Sequence, residues 1–247
     1  TLFPYTTLFR SIADDYKYLG RAYNKMASDG KEYSEEGMGY LKKAAELDTN
    51  ATDAAATYKE IAGLYAKGKE WPDAIEAFEK GINLDTTSAS TQDYYGLGIA
   101  YLQNGVSIPA PDSTTVDSLA VAEQRTSNFL KSDSTFALLS NKLPDWPYSY
   151  YWRASSLYYI NGIENMKNGT SLPYYEKFLT LAENEASVQP SFKARALHYI
   201  AAYYQTTGND VVKAKETWEK LLKIDPNNAQ AKQALSDLES QANAAPR

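Results

Sequence analysis

The sequence predicts an all-α fold of the solenoid class, about five helix-turn-helix repeats followed by a C-terminal cap helix. Three observations predict it. Apolar residues recur at helical rather than alternating spacing, the stripes come in pairs divided by Gly- or Pro-marked turns, and the paired pattern itself recurs along the chain.

The stretch YKEIAGLYAKGKEWPDAIEAFEKGINLDTT, from Tyr58, shows the unit most plainly. Tyr58, Ile61, Ala62 and Tyr65 share one helix face, Gly68 closes that helix, and Pro72 suits the first turn of the next. Ala74, Ile75, Phe78 and Gly81 form the second stripe. Along the chain the first-helix pattern is Tyr16/Leu19/Gly20/Tyr23, Tyr58/Ile61/Ala62/Tyr65, Tyr94/Leu97/Gly98/Tyr101, Tyr151/Ala154/Ser155/Tyr158 and Leu197/Ile200/Ala201/Tyr204. Second helices pair a small residue with a bulky one a turn later: Gly37/Leu41, Ala74/Phe78, Ser132/Phe136, Ser171/Tyr175 and Ala214/Trp218. Small residues at the crossing point let two antiparallel helices approach to the near end of the ~8–10 Å range, and the aromatic beside them fills the groove. Turns after the second helices are marked by Asp48-Thr49, Asp85-Thr86, Leu143-Pro144 and Asp225-Pro226.

These residues resemble the tetratricopeptide repeat family, whose unit of about 34 residues reads W-x2-L-G-x2-Y in its first helix and A-x3-F in its second. The resemblance covers nearly all of residues 12–228, with repeats expected at 12–50, 55–88, 91–145, 148–188 and 191–227. Extra residues at Met26 to Glu32 and Glu164 to Gly169 are expected as longer turns. The third repeat carries an insertion over 105–126, in which Val106 to Thr115 is expected as loop and Val116 to Gln124 as a backward extension of the second helix. After it all, Ala231, Ala234, Leu235 and Leu238 give residues 229–242 the pattern of a solubilising cap, with 243–247 as a frayed tail.

The resemblance implies a right-handed superhelix whose concave face, lined by first helices, binds an extended or helical peptide. First-helix residues adjacent to the core pattern are therefore the candidates for partner contact. One end is basic: Lys17, Arg21, Lys25, Lys59 and Lys67. The other is aromatic: Tyr95, Trp152, Tyr159 and His198, with Tyr199 beside them. A basic patch meets partner carboxylates and acts on association rate and register more than on affinity; rigid aromatics suit the centre of an interface. The alternatives are a solvated helix face and ordinary core packing. The family's chaperone-tail subgroup holds a C-terminal carboxylate with a lysine and two asparagines; this chain has Lys17 but places Arg21 and Glu60 where the asparagines belong, so that activity is not carried over.

Composition narrows the chemistry. A formal net charge of −6 and a pI near 5.0 disfavour nucleic acid as a partner. With no cysteine and a single histidine, His198, the chain offers no thiolate chemistry and no multi-histidine metal site, so no cofactor and no catalysis are expected. No apolar run approaches the ~20 residues that span a bilayer. Gly96 to Gly98 lies within a helical pattern and is no phosphate loop. Asn50-Ala51-Thr52 and Asn168-Gly169-Thr170 match the glycosylation sequon. Asp14-Asp15 and Glu35-Glu36 are expected at helix termini, opposing the positive end of a dipole. The leading expectation is thus a non-catalytic scaffold for a protein or peptide partner. The runner-up is a cell-envelope glycan-binding protein, with the insertion and the DWPYSYYW stretch at Asp145 to Trp152 as its site. The tyrosine-rich style resembles arrays of the bacterial periplasm or envelope.

Residues 1–11, TLFPYTTLFRS, fit none of this. Their back-translation resembles a short-read sequencing adapter, so they are expected to carry no function and to pack poorly or merely lengthen the first helix. Further chain is then expected upstream of Ile12, with Ile12, Tyr16 and Leu19 left exposed.

Overall fold

A computed structural model describes residues 5–27, 32–110, 118–161 and 163–244. Twelve α-helices are found among them: α1 (Tyr5–Lys25), α2 (Glu35–Leu47), α3 (Ala51–Lys67), α4 (Trp71–Leu84), α5 (Thr91–Ser107), α6 (Ser118–Lys142), α7 (Pro147–Asn161), α8 (Ile163–Asn168), α9 (Leu172–Ala182), α10 (Pro190–Thr206), α11 (Val211–Ile224) and α12 (Ala229–Ala244). The fold class is that of an all-α solenoid of helix pairs. Among the described residues no helix is long and apolar enough to cross a membrane. The chain divides into two compact units, residues 1–135 and 136–247.

In the first unit, α1 pairs with α2 and α3 with α4. The starts of these helices are written in short polar residues. Ser34 accepts from Gly37 N, Asn50 from Thr52 N and Asp53 N, and Ser90 forms a reciprocal box with Asp93. One core joins Leu41, Ile61, Ala62, Tyr65, Ala74, Phe78, Leu97 and Tyr101. The pairs are tight because the crossing points are bare: a Cβ on Gly20 would lie 2.7 Å from Leu41 Cγ, and one on Gly37 2.1 Å from Asn24 Oδ1. Where the small residue is serine, its hydroxyl is satisfied across the crossing, since Ser132 Oγ donates to Gly98 O at 2.9 Å.

In the second unit, α7 pairs with α9 and α10 with α11, and α12 packs on α11. Ser171 Oγ donates to Ala154 O at 2.7 Å, the same device. Two clusters form the core. The first is nearly a solid of rings around Tyr151, Tyr175, Phe178 and Tyr199; the second gathers Leu197, Trp218, Leu221, Ala231 and Leu238 under the cap helix.

Several local expectations change. Helix α1 starts at Tyr5, so residues 5–11 lengthen it and Asp14-Asp15 lie within it rather than at a terminus; Glu35-Glu36 do open α2. Leu19 is exposed as expected, but Ile12 is half-buried, and so is Tyr16, whose ring stacks on Tyr40 at 6.0 Å. The turn expected at Glu164 to Gly169 is mostly the short helix α8, ended by Gly169 at φ +65°. The left-handed residue after α3 is Lys69 (φ 62°), not Gly68: Lys69 N donates to Ala66 O and Glu70 N to Tyr65 O, closing a Schellman-type end. Gly68 is bare for a different reason, since the Tyr33 ring passes 3.0 Å from where its Cβ would sit. Ser171 precedes α9 instead of lying inside it. Val106 and Ser107 still belong to α5, and α6 does extend backward, to Ser118. Residues 1–4, 28–31, 111–117 and 245–247, which include parts of the expected adapter-like segment, first turn, insertion loop and tail, lie outside the described residues.

Candidate partner-binding site

The first-helix face of the first unit is built from α1, α3 and α5. Arg21 on α1 forms a two-pronged pair with Glu60 on α3, Nε to Oε1 at 2.9 Å and Nη2 to Oε2 at 2.7 Å, which raises the guanidinium pKa. The two residues that displaced the expected asparagines are therefore partners of each other. Lys59 Nζ reaches Asp93 Oδ2 at 3.1 Å and Ser88 O at 3.2 Å, linking α3 to α5 with both side chains about 85% covered. Asp93 thus serves twice, capping Ser90 N at 2.8 Å and neutralising Lys59.

Of the five basic candidates, Arg21 and Lys59 are consumed by these seams. Lys17 is half-buried, while Lys25 and Lys67 are exposed. Gly63 lies on α3, one turn from Lys59, Glu60 and Lys67. A Cβ there would meet nothing within 4 Å, unlike one on Gly20 or Gly37. Glycine in a helix interior is less favourable than alanine by roughly 0.5–1 kcal/mol, so Gly63 weakens α3 without relieving any internal crowding. Its position was readable in the sequence; its significance was not, because only the structure separates a crowded glycine from an uncrowded one. Tyr95, the aromatic candidate in this unit, is half-buried on α5.

The second unit holds the other aromatic candidates. Trp152 is packed rather than presented: its ring stacks on Phe136 at 6.3 Å and meets Tyr151 at 4.9 Å and Phe192 at 5.6 Å, and its buried Nε1 has no acceptor among the described residues. Tyr199 is buried in the same ring cluster. Tyr159 is exposed beside Tyr158, with ring centres 5.7 Å apart. His198 contacts Gln230 on the cap helix, Nε2 to Oε1 at 2.8 Å, and meets the Trp218 ring edge-on at 5.3 Å. The DWPYSYYW stretch is also turned to internal use, with Tyr148 donating to Ser187 O at 3.4 Å and Tyr150 to Pro144 O at 3.0 Å.

The tyrosine excess finds a recurrent explanation in residues absent from the candidate set. Tyr101 donates to Glu79, on the preceding second helix, and lies under Lys131 Nζ at 5.1 Å from its own second helix. Tyr204 repeats this with Glu176 (2.7 Å) and Lys213 (4.8 Å). Burial, then the carboxylate partner, pushes the Tyr101 phenol pKa up, and that of Tyr204 up to about 12. Each such tyrosine ties consecutive second helices through one ring. Among the described residues no cluster of His, Cys, Asp or Glu of metal-site size occurs.

No protein-family model matches the chain, and no curated protein sequence matches it. Solved structures do. The C-terminal part of a TPR repeat-containing protein from Cytophaga hutchinsonii is 25% identical, with a TM-score of 0.68 over 90% of this chain and 73% of that one. Yeast Tom70 is 19% identical with a TM-score of 0.44, over 94% of this chain and 40% of that one. A thermophilic TPR protein of Thermus thermophilus is 13% identical with a TM-score of 0.40, over 92% and 98%.

Proposed function

Because the chain folds as tetratricopeptide repeats, a general scaffold architecture for protein interaction, we propose that it is a non-catalytic scaffold whose first unit holds an extended segment of a protein partner against α1, α3 and α5. Gly63 is the single observation that carries this reading. A bare helical position with open space above it admits a partner's backbone to closer range than any other residue allows. On this reading the Arg21–Glu60 and Lys59–Asp93 seams hold the floor rigid, and Lys17, Lys25 and Lys67 draw carboxylates of the partner. Tyr95 on α5 is a secondary contact in this unit; Tyr159 and His198 are separate candidates within the second unit, where Trp152 packs inside. Extended peptides selected from a random library on the immobilised chain should be rich in Asp and Glu. Their affinity should fall about tenfold, near 1.4 kcal/mol, when Lys17→Glu and Lys67→Glu are combined. Selected peptides without acidic bias, bound equally by that variant, would remove the basic face from the proposal.

A further inference from the structure

Grooves recur between consecutive second helices, floored by the first helix that lies beneath them. In the first unit the α2–α4 groove is small, at about 240 Å³. Long charged side chains cross it: Lys42 lies over Tyr65 at 5.3 Å, Lys80 over Tyr58 at 5.7 Å, and Lys80 also pairs with Glu76 at 2.7 Å. The next groove, between α4 and α6 over Leu97 and Tyr101, measures about 720 Å³. Its α6 wall alternates the short residues Ala122, Thr126, Ser127, Ser134 and Thr135 with the longer Glu123, Leu130 and Lys131. Two of these hydroxyls bond back to their own helix, Ser134 to Leu130 O at 2.9 Å and Thr135 to Lys131 O at 2.8 Å, so they ask for no polar partner. Leu130 stands half exposed on the same wall, at 50%. Serine and threonine are less favourable than alanine inside a helix by up to about 0.7 kcal/mol each, and here they line a wider trough than the one in the neighbouring repeat.

We propose that the α4–α6 groove docks one amphipathic α-helix of a protein partner, its apolar stripe over Leu97, Tyr101 and Leu130 and a basic residue at Glu123. A helix fits better than an extended segment for a backbone reason. Both walls are helices whose N–H and C=O groups are already paired, so a strand laid there would leave its own groups unmet, whereas a helix arrives with its backbone satisfied. Short wall residues permit the close interaxial approach that helix packing needs. Charge selects the flank: Glu79 and Lys131 offset each other around Tyr101, which leaves Glu123 as the net charge lining the groove. This surface lies on the second helices and is independent of the Gly63 face.

The test uses the full chain and two fluorescein-labelled synthetic helices, both leucine-striped, one flanked by lysine and one by glutamate. The lysine helix should bind at least about tenfold tighter than the glutamate helix, a preference that Glu123→Lys narrows or reverses. The double variant Ser127→Arg/Ser134→Arg fills the trough at exposed helical positions and should abolish binding while circular dichroism and Tm stay near wild type. Gly63→Trp should leave this binding unchanged. Failure of both helices to bind, equal binding of the two, or binding that survives the filled trough would overturn the proposal.

Discussion

The two units use one repeat template and join their helices by different chemistry. In the first, consecutive first helices are linked by ions, Arg21 to Glu60 and Lys59 to Asp93. In the second, Tyr151 is a hub whose ring meets Trp152, Tyr175, Phe178 and Phe192 at 4.7 to 5.8 Å. Ion pairs near the surface are screened by salt and are worth little, while edge-to-face rings add about 0.5–1.5 kcal/mol per pair beyond their buried area. Salt therefore acts on the seams of the first unit more than on the ring-to-ring contacts of the second.

The comparison can be broken most forcefully at its hub. Tyr151→Ala should destabilise by about 3–5 kcal/mol, the usual effect of removing a buried aromatic, seen as a fall in urea midpoint that salt does not alter. Lys59→Ala comes next, because Asp93 is mostly covered: about 1.5–3 kcal/mol is expected from a lost charge-assisted bond, read by chemical denaturation. Arg21→Gln removes a more exposed pair and should cost about 0.2–1 kcal/mol, vanishing in high salt; an undiminished effect in high salt would show that the first unit is not held as described. Trp152→Phe should change stability by less than about 1 kcal/mol, since the ring contacts remain and the lost N–H has no acceptor among the described residues.

Alkaline pH probes a device that the two units share. Tyr204 has its pKa raised in the folded chain, from 10.0 to about 12. The neutral phenol is the form that the fold favours, so its contribution is fully present below pH 10 and is lost as pH rises through 12. Titration of phenolate absorbance should place Tyr204 late, and Tyr204→Phe should remove that late step. Tyr101 shifts in the same direction, through burial and Glu79, and Glu79→Gln should bring it back toward the ordinary range.

How much of this was legible in the sequence depended on range. Stripes such as Tyr58/Ile61/Ala62/Tyr65 act over one or two turns, so their spacing alone predicts them. The seams do not act locally. Arg21 and Glu60 lie 39 positions apart and look like two departures from a pattern until the fold brings them together. A similar separation in sequence hid Lys59–Asp93, which left Lys59 looking like a solvent-facing cation. Aromatic residues were ambiguous for another reason: Trp152 and Tyr159 are equally plausible surface rings by spacing, and it is packing against Phe136, Tyr151 and Phe192 that draws Trp152 inward. Lys69 in the left-handed region was masked by Gly68, the residue that ordinarily takes it.

The most direct measurement is made at Gly63, with the pair of variants Gly63→Ala and Gly63→Trp. Since no neighbour lies within 4 Å of the added Cβ, Gly63→Ala should raise stability by about 0.5–1 kcal/mol, and Gly63→Trp should fold with a Tm near wild type. Peptides selected on the wild-type chain should nonetheless lose at least about tenfold in affinity for Gly63→Trp. If Gly63→Trp binds those peptides as the wild type does, the open face of α3 is not where the partner lies.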